Sequence, residues 1–91
     1  KALPNLAGLV AFDVVARRLS FSAAGRQLHV TQAAVSHRIR ALEESLGVRL
    51  FERNARRVEL TSEGVVLRRA TADAFARLRL GLEEVTNLRA D

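Results

Sequence analysis

TQAAVSHRIRALEESLG, residues 31–47, holds the pattern on which the reading of this chain turns. Val35, Ile39, Leu42 and Leu46 are spaced by four, three and four, so each falls within about 40° of Val35 on a helical wheel. Thr31 supplies an N-cap hydroxyl, and Gly47 suits a left-handed ending with Val48 placed for the apolar contact of a Schellman motif. With that apolar face turned inward, Ala33, His37 and Arg40 must face outward, with Gln32 and Ser36 along one border. Such an outer face has donors and acceptors but no bulky apolar group, so it suits a polar ligand better than a core.

Upstream, Asn5 follows Pro4 as a helix start, and Leu6, Leu9, Phe12 and Ala16 predict an amphipathic helix of about three turns. Arg17 and Arg18 sit in its last turn, where the helix dipole favours cations. Ser20 and Ser22 bracket Phe21, and either hydroxyl can cap a short second helix carrying Ala23, Ala24 and Leu28. Gly25 stands where that helix must come close to the third. His29 stands where the turn between them calls for a left-handed residue, a conformation His tolerates better than most side chains.

Downstream, residues 50–53 and 58–60 read as two short strands separated by Asn54, Ala55, Arg56 and Arg57, which predicts a small hairpin, or wing. Thr61 then caps a long helix to about Asn87, roughly 40 Å at 1.5 Å per residue. Phe75, Leu78, Leu82 and Val85 alternate threes and fours along it, and Leu67, Ala74 and Leu88 widen the stripe. Seven turns of stripe exceed what a small three-helix body can cover, so a second copy is the expected partner, with packing onto the body as the simpler alternative. The predicted architecture is mainly α: a winged helix-turn-helix of three helices and a two-stranded wing over residues 1–60, then a dimerisation helix over 61–91.

Charge separates these two parts. Fourteen of the fifteen basic residues are arginine, the side chain that grips phosphates and guanine edges bidentately. Residues 17–57 hold nine basic and three acidic side chains, a net of +6, whereas residues 58–91 hold five and six, a net of −1. In the positive part, Gln32 suits adenine, Arg40 guanine or a phosphate, and Ser36 either base type. Thr31 and the helix N-terminus suit a phosphate, and the wing arginines suit a minor groove or the backbone.

Other classes fit poorly. Aromatics make up 4 % of the chain, all Phe, which leaves little platform for stacking single-stranded bases. Adjacent Ser36 and His37 point about 100° apart on a helix, and 91 residues leave no room for a deep cleft, so catalysis is not expected. His29 has no partner at metal-ligand spacing, and no cofactor is expected. The apolar run at residues 6–12 is too short to span a bilayer, and the absence of cysteine suits a reducing cytosol. A protein-interaction module built on the same fold stands as the rival reading.

Taken together, the residues resemble the N-terminal domain of LysR-type transcriptional regulators. The resemblance rests on Leu6, Leu9 and Phe12; Ser20, Phe21, Ala24 and Leu28; Val30, Thr31 and Gln32; Val35, Ser36 and Ile39; Leu42, Glu43, Leu46 and Gly47; Leu50, Phe51 and Arg53; and Leu60, Thr61 and Gly64. VTQAAVSH, residues 30–37, is most similar to the branch of the glycine-cleavage and β-lactamase-induction regulators. The resemblance implies a homodimer formed through the long helix on an inverted repeat in promoter DNA, in the cytoplasm; the apolar stripe puts Leu67, Ala74, Phe75, Leu78, Leu82 and Val85 in that pairing. It allows a tetramer for a longer protein and implies a C-terminal domain, outside this chain, that senses a small-molecule effector. DNA contacts carry over to Thr31, Gln32, Ala33, Ser36, His37, Arg53 and Arg56; Arg40 and Arg57 join them on position alone. Gly25 stands where the family commonly has Ala, Ala33 where it has Pro, and His37 where it has Arg.

Overall fold

The computed structural model describes residues 3–54 and 56–89. Its elements are α1 (Leu6–Arg18), α2 (Phe21–Leu28), α3 (Gln32–Leu46), β1 (Phe51–Arg53), β2 (Val58–Leu60) and α4 (Ser62–Arg89). The wing tip position Ala55 and the two chain ends lie outside the described residues.

Short polar side chains set where each helix begins. Asn5 Oδ1 accepts from Ala7 N at 2.7 Å, Ser20 Oγ from Ala23 N at 3.1 Å, Thr31 Oγ1 from Ala34 N at 3.0 Å and Thr61 Oγ1 from Gly64 N at 3.0 Å. Each satisfies an amide the helix itself leaves without a partner. Left-handed residues set where three of them end: Leu19 at φ 50, His29 at φ 59 and Gly47 at φ 74. The Glu43 carbonyl accepts from both Gly47 N and Val48 N, at 2.8 and 3.3 Å. The expected ending of α3 is therefore present, and of the two serines Ser20 is the cap.

Helix α1 is enclosed by α2, α3 and α4, and this changes its character. The sequence suggests an amphipathic helix, yet every residue from Ala11 to Ala16 is buried, including Asp13, whose carboxylate accepts from Arg17 at 3.3 Å. Leu6, expected on the inner face, lies on the exposed first turn. Val35, Ile39 and Leu42 close the core from α3, and Phe51 from the wing packs its ring 5.4 Å from Phe12 and 5.8 Å from Phe21. Leu46, at the end of the expected α3 stripe, is 43 % exposed because α3 there runs past the body.

The wing is an antiparallel pair in register Phe51↔Leu60, Glu52↔Glu59 and Arg53↔Val58. Its base is clamped: Leu50 O accepts from Thr61 N at 3.0 Å, and Arg49 O accepts from the Thr61 hydroxyl at 2.7 Å. Gly64 sits where any Cβ would overlap the Leu50 carbonyl, so α4 leaves the wing in close backbone contact with it.

Helix α4 divides in two. Gly64 and Thr71 are buried, and Leu67, expected on the pairing stripe, packs against the core of its own chain. Phe75 is half-buried and Ala74 exposed. Beyond them Leu78, Leu82, Val85 and Leu88 stand in solvent, Leu82 at 67 % and Leu88 at 81 %.

Candidate nucleic-acid interface

Two tight turns aim α3. Gly25 lies against the α2–α3 turn, where an added Cβ would come within 2.8 Å of Val30 O, and the Gly25 carbonyl accepts from Val30 N at 2.9 Å. With His29 in the left-handed region, α2 reverses into α3 over His29, Val30 and Thr31. Because Val35, Ile39 and Leu42 are fixed in the core, Gln32, Ala33, His37 and Arg40 are exposed and Ser36 is half-buried. Thr31 is exposed too, and its oxygen is committed to the cap.

Asn54 shapes the wing tip: its Oδ1 accepts from Arg56 N at 3.4 Å and Arg57 N at 3.2 Å. The Arg53 guanidinium lies 3.9 Å from the centroid of Phe21, a cation–π contact that holds this long side chain against the body. Arg57 pairs with Glu59 at 3.6 Å, which partly neutralises it. Among the described residues Arg40, Arg53 and Arg56 enter no ion pair, so their charges are open to a ligand.

Six of the nine expected residues line three grooves, whereas Thr31, Ala33 and Ser36 line none of the three. Gln32 of α3 and Arg53, Arg56 and Arg57 of the wing line one open groove, together with Ser20 and Ser22. Arg40 and Arg53 line an adjoining one with Glu43 and Arg49. His37 faces the start of α1, sharing a groove with Arg38, Asn5 and Ser45. Ser20 and Ser22, whose hydroxyls lie 3.2 Å apart, were legible only as caps; their place beside the wing needs the long-range packing of Phe21 on Phe51. Arg17 and Arg18 bind Asp13 and Gln27 instead of facing this region. Among the described residues no group of three side chains is placed to hold a metal ion.

A buried three-helix body, a turn that presents α3 and a wing that shares its groove define a winged helix-turn-helix. Comparison with known proteins narrows this class. The chain belongs to the lysR family of bacterial regulatory helix-turn-helix proteins, which it matches over residues 6–65. It is 53 % identical over 77 residues to the HTH-type transcriptional regulator TrpI of Pseudomonas aeruginosa, covering 85 % of this chain and 26 % of that protein. It is 55 % identical over 64 residues to the glycine cleavage system transcriptional activator of Escherichia coli K12, covering 70 % and 21 %. The second falls in the branch to which residues 30–37 pointed. The chain thus spans about a quarter of the length of these relatives. The fold superposes on a crystal structure of a BenM DBD/catB site 1 DNA complex with a TM-score of 0.87 at 27 % identity, covering 97 % of this chain and 99 % of the other.

Proposed function

We propose that this chain is the DNA-binding part of a LysR-type transcription regulator, a binding module rather than an enzyme, acting in the cytoplasm. The carrying observation is that Gln32 in the first turn of α3 and the wing arginines line one groove, so a single duplex can meet both. In this reading α3 lies in the major groove. Gln32, Ala33, Ser36, His37 and Arg40 face base edges and phosphates there, and Thr31 with the α3 N-terminus meets the backbone. Arg53, Arg56 and Arg57 follow the minor groove or the phosphates. A second copy pairs through the far half of α4, placing two heads on an inverted repeat in promoter DNA. The remaining length of the relatives leaves room for a domain that binds a small-molecule effector. No helix among the described residues is long and apolar enough to cross a membrane.

The test is titration of promoter and random duplexes at several salt concentrations. Three phosphates neutralised per protomer give a dimer a slope of about −5 in log affinity against log salt. Gln32→Ala is expected to lose discrimination at one base pair, and Arg56→Ala to weaken all sequences alike. Equal or salt-insensitive binding to the two duplexes overturns sequence-specific reading, absent binding to both leaves the protein-interaction role, and uniform losses in both variants remove base reading from α3.

A further inference from the structure

Glu43 is an acidic residue on the helix that carries the exposed polar face, in the part of the chain with a net charge of +6. It forms no ion pair among the described residues. Its Oε2 instead accepts from two backbone amides at the start of the wing, Leu50 N at 2.8 Å and Phe51 N at 3.4 Å. A carboxylate accepting from backbone amides makes a charge-assisted bond, about twice as strong as a neutral one. The same peptide segment is held from its other side, where Thr61 takes the carbonyls of Leu50 and Arg49. Residues 49–51 are thus gripped by α3 through Glu43 and by the start of α4 through Thr61.

We infer that Glu43 is a positioning residue for DNA recognition: it fixes the wing to α3, so that wing arginines reach the backbone only when α3 is seated. The inference rests on the DNA-binding reading above and adds a coupling that reading does not require. Arg53, the strand residue two positions beyond Phe51, carries the link into the groove that Gln32 and Arg56 share. Without the carboxylate at the right reach, the Thr61 clamp still closes the hairpin and Phe51 still seats its base in the core, but no polar contact from Glu43 fixes its tilt against α3. The wing then loses its preorganisation, and each contact at its tip must be ordered during binding.

Two conservative variants separate reach from charge. Glu43→Asp keeps the charge and withdraws the acceptor by one methylene, whereas Glu43→Gln keeps the reach and removes the charge. Each is combined with Arg56→Ala and, separately, with Gln32→Ala, and duplex affinity is measured with the native chain alongside. In the native chain Arg56→Ala is expected to weaken binding about tenfold, as for loss of a charged hydrogen bond. The same loss is expected in the Glu43→Gln background, but roughly twofold or less in the Glu43→Asp background, where the wing is already loose. Gln32→Ala is expected to cost the same in all three backgrounds, which general destabilisation of the fold does not produce. An Arg56→Ala cost that is equal in all three backgrounds, or absent in the native chain, overturns the inference and leaves the DNA-binding reading intact. A native chain without duplex affinity overturns both.

Discussion

The body of this chain and the far half of α4 draw on the same apolar residue types and end in opposite conditions. In the body Phe12, Phe51, Ile39, Leu50, Val15 and Val35 are each less than 2 % exposed. Beyond Thr71 the leucines and valine of the stripe are mostly in solvent. What differs is enclosure: α1 has helices on three sides, whereas beyond Thr71 nearly every described residue of α4 is exposed, Phe75 being half-buried. Spacing therefore determines which residues share a face, and the surrounding fold determines whether anything covers that face. The stability of the head is internal to one chain, while the hydrophobic gain of the stripe, at about 25 cal/mol per Å², is realised only when a partner covers it.

Four substitutions probe this contrast, taken by the size of their expected effect on unfolding of the head. Phe12→Ala removes a fully buried ring stacked near Phe51, and about 3–5 kcal/mol of stability should go with it, seen as a lower urea midpoint. Gly64→Ala drives a methyl into the Leu50 carbonyl at the junction of the two regions and should cost about 3 kcal/mol; unchanged melting would mean that the junction yields freely. Thr31→Ala deletes the α3 cap for about 1 kcal/mol, and Thr31→Ser should recover most of it in the same melt. Leu82→Asp should move the head's unfolding by less than about 0.5 kcal/mol, since the residue is 67 % exposed. It should nevertheless yield monomers in sedimentation, and dimers that persist would place the pairing surface elsewhere.

Much of the head could be read directly because its signals are local. The apolar spacing of Val35, Ile39 and Leu42, the caps at Asn5, Ser20, Thr31 and Thr61, and the turn residues His29 and Gly47 each act within a few positions. What escaped reading depends on distant neighbours. Burial of Ala11 to Ala16 in α1 follows from the placement of three other helices, and neither Leu6 nor Leu46 carries a mark of lying past the edge of the body. Leu19 ends α1 in a left-handed conformation that costs an L-residue about 1–2 kcal/mol, and nothing in its side chain announces it. Of the candidate interface, the exposed edge of α3 and the arginines of the wing could be listed by position. That Gln32 shares one groove with those arginines goes with the contacts of Phe21, Arg53 and Glu43, which join residues 7 to 32 positions apart.

The clamp at the base of the wing has a consequence for how such a chain can vary. With Leu50 O and Thr61 N joined at 3.0 Å, everything between them hangs from a fixed pair of attachment points. Lengthening the hairpin changes only the entropy of a loop already closed, about 0.6 kcal/mol for a doubling. Phe51, Val58 and Leu60 tie the strands to the core, so it is the stretch between Arg53 and Val58 that can be exchanged, extended or shortened as a cassette, altering how far its arginines extend without re-engineering the three helices beneath.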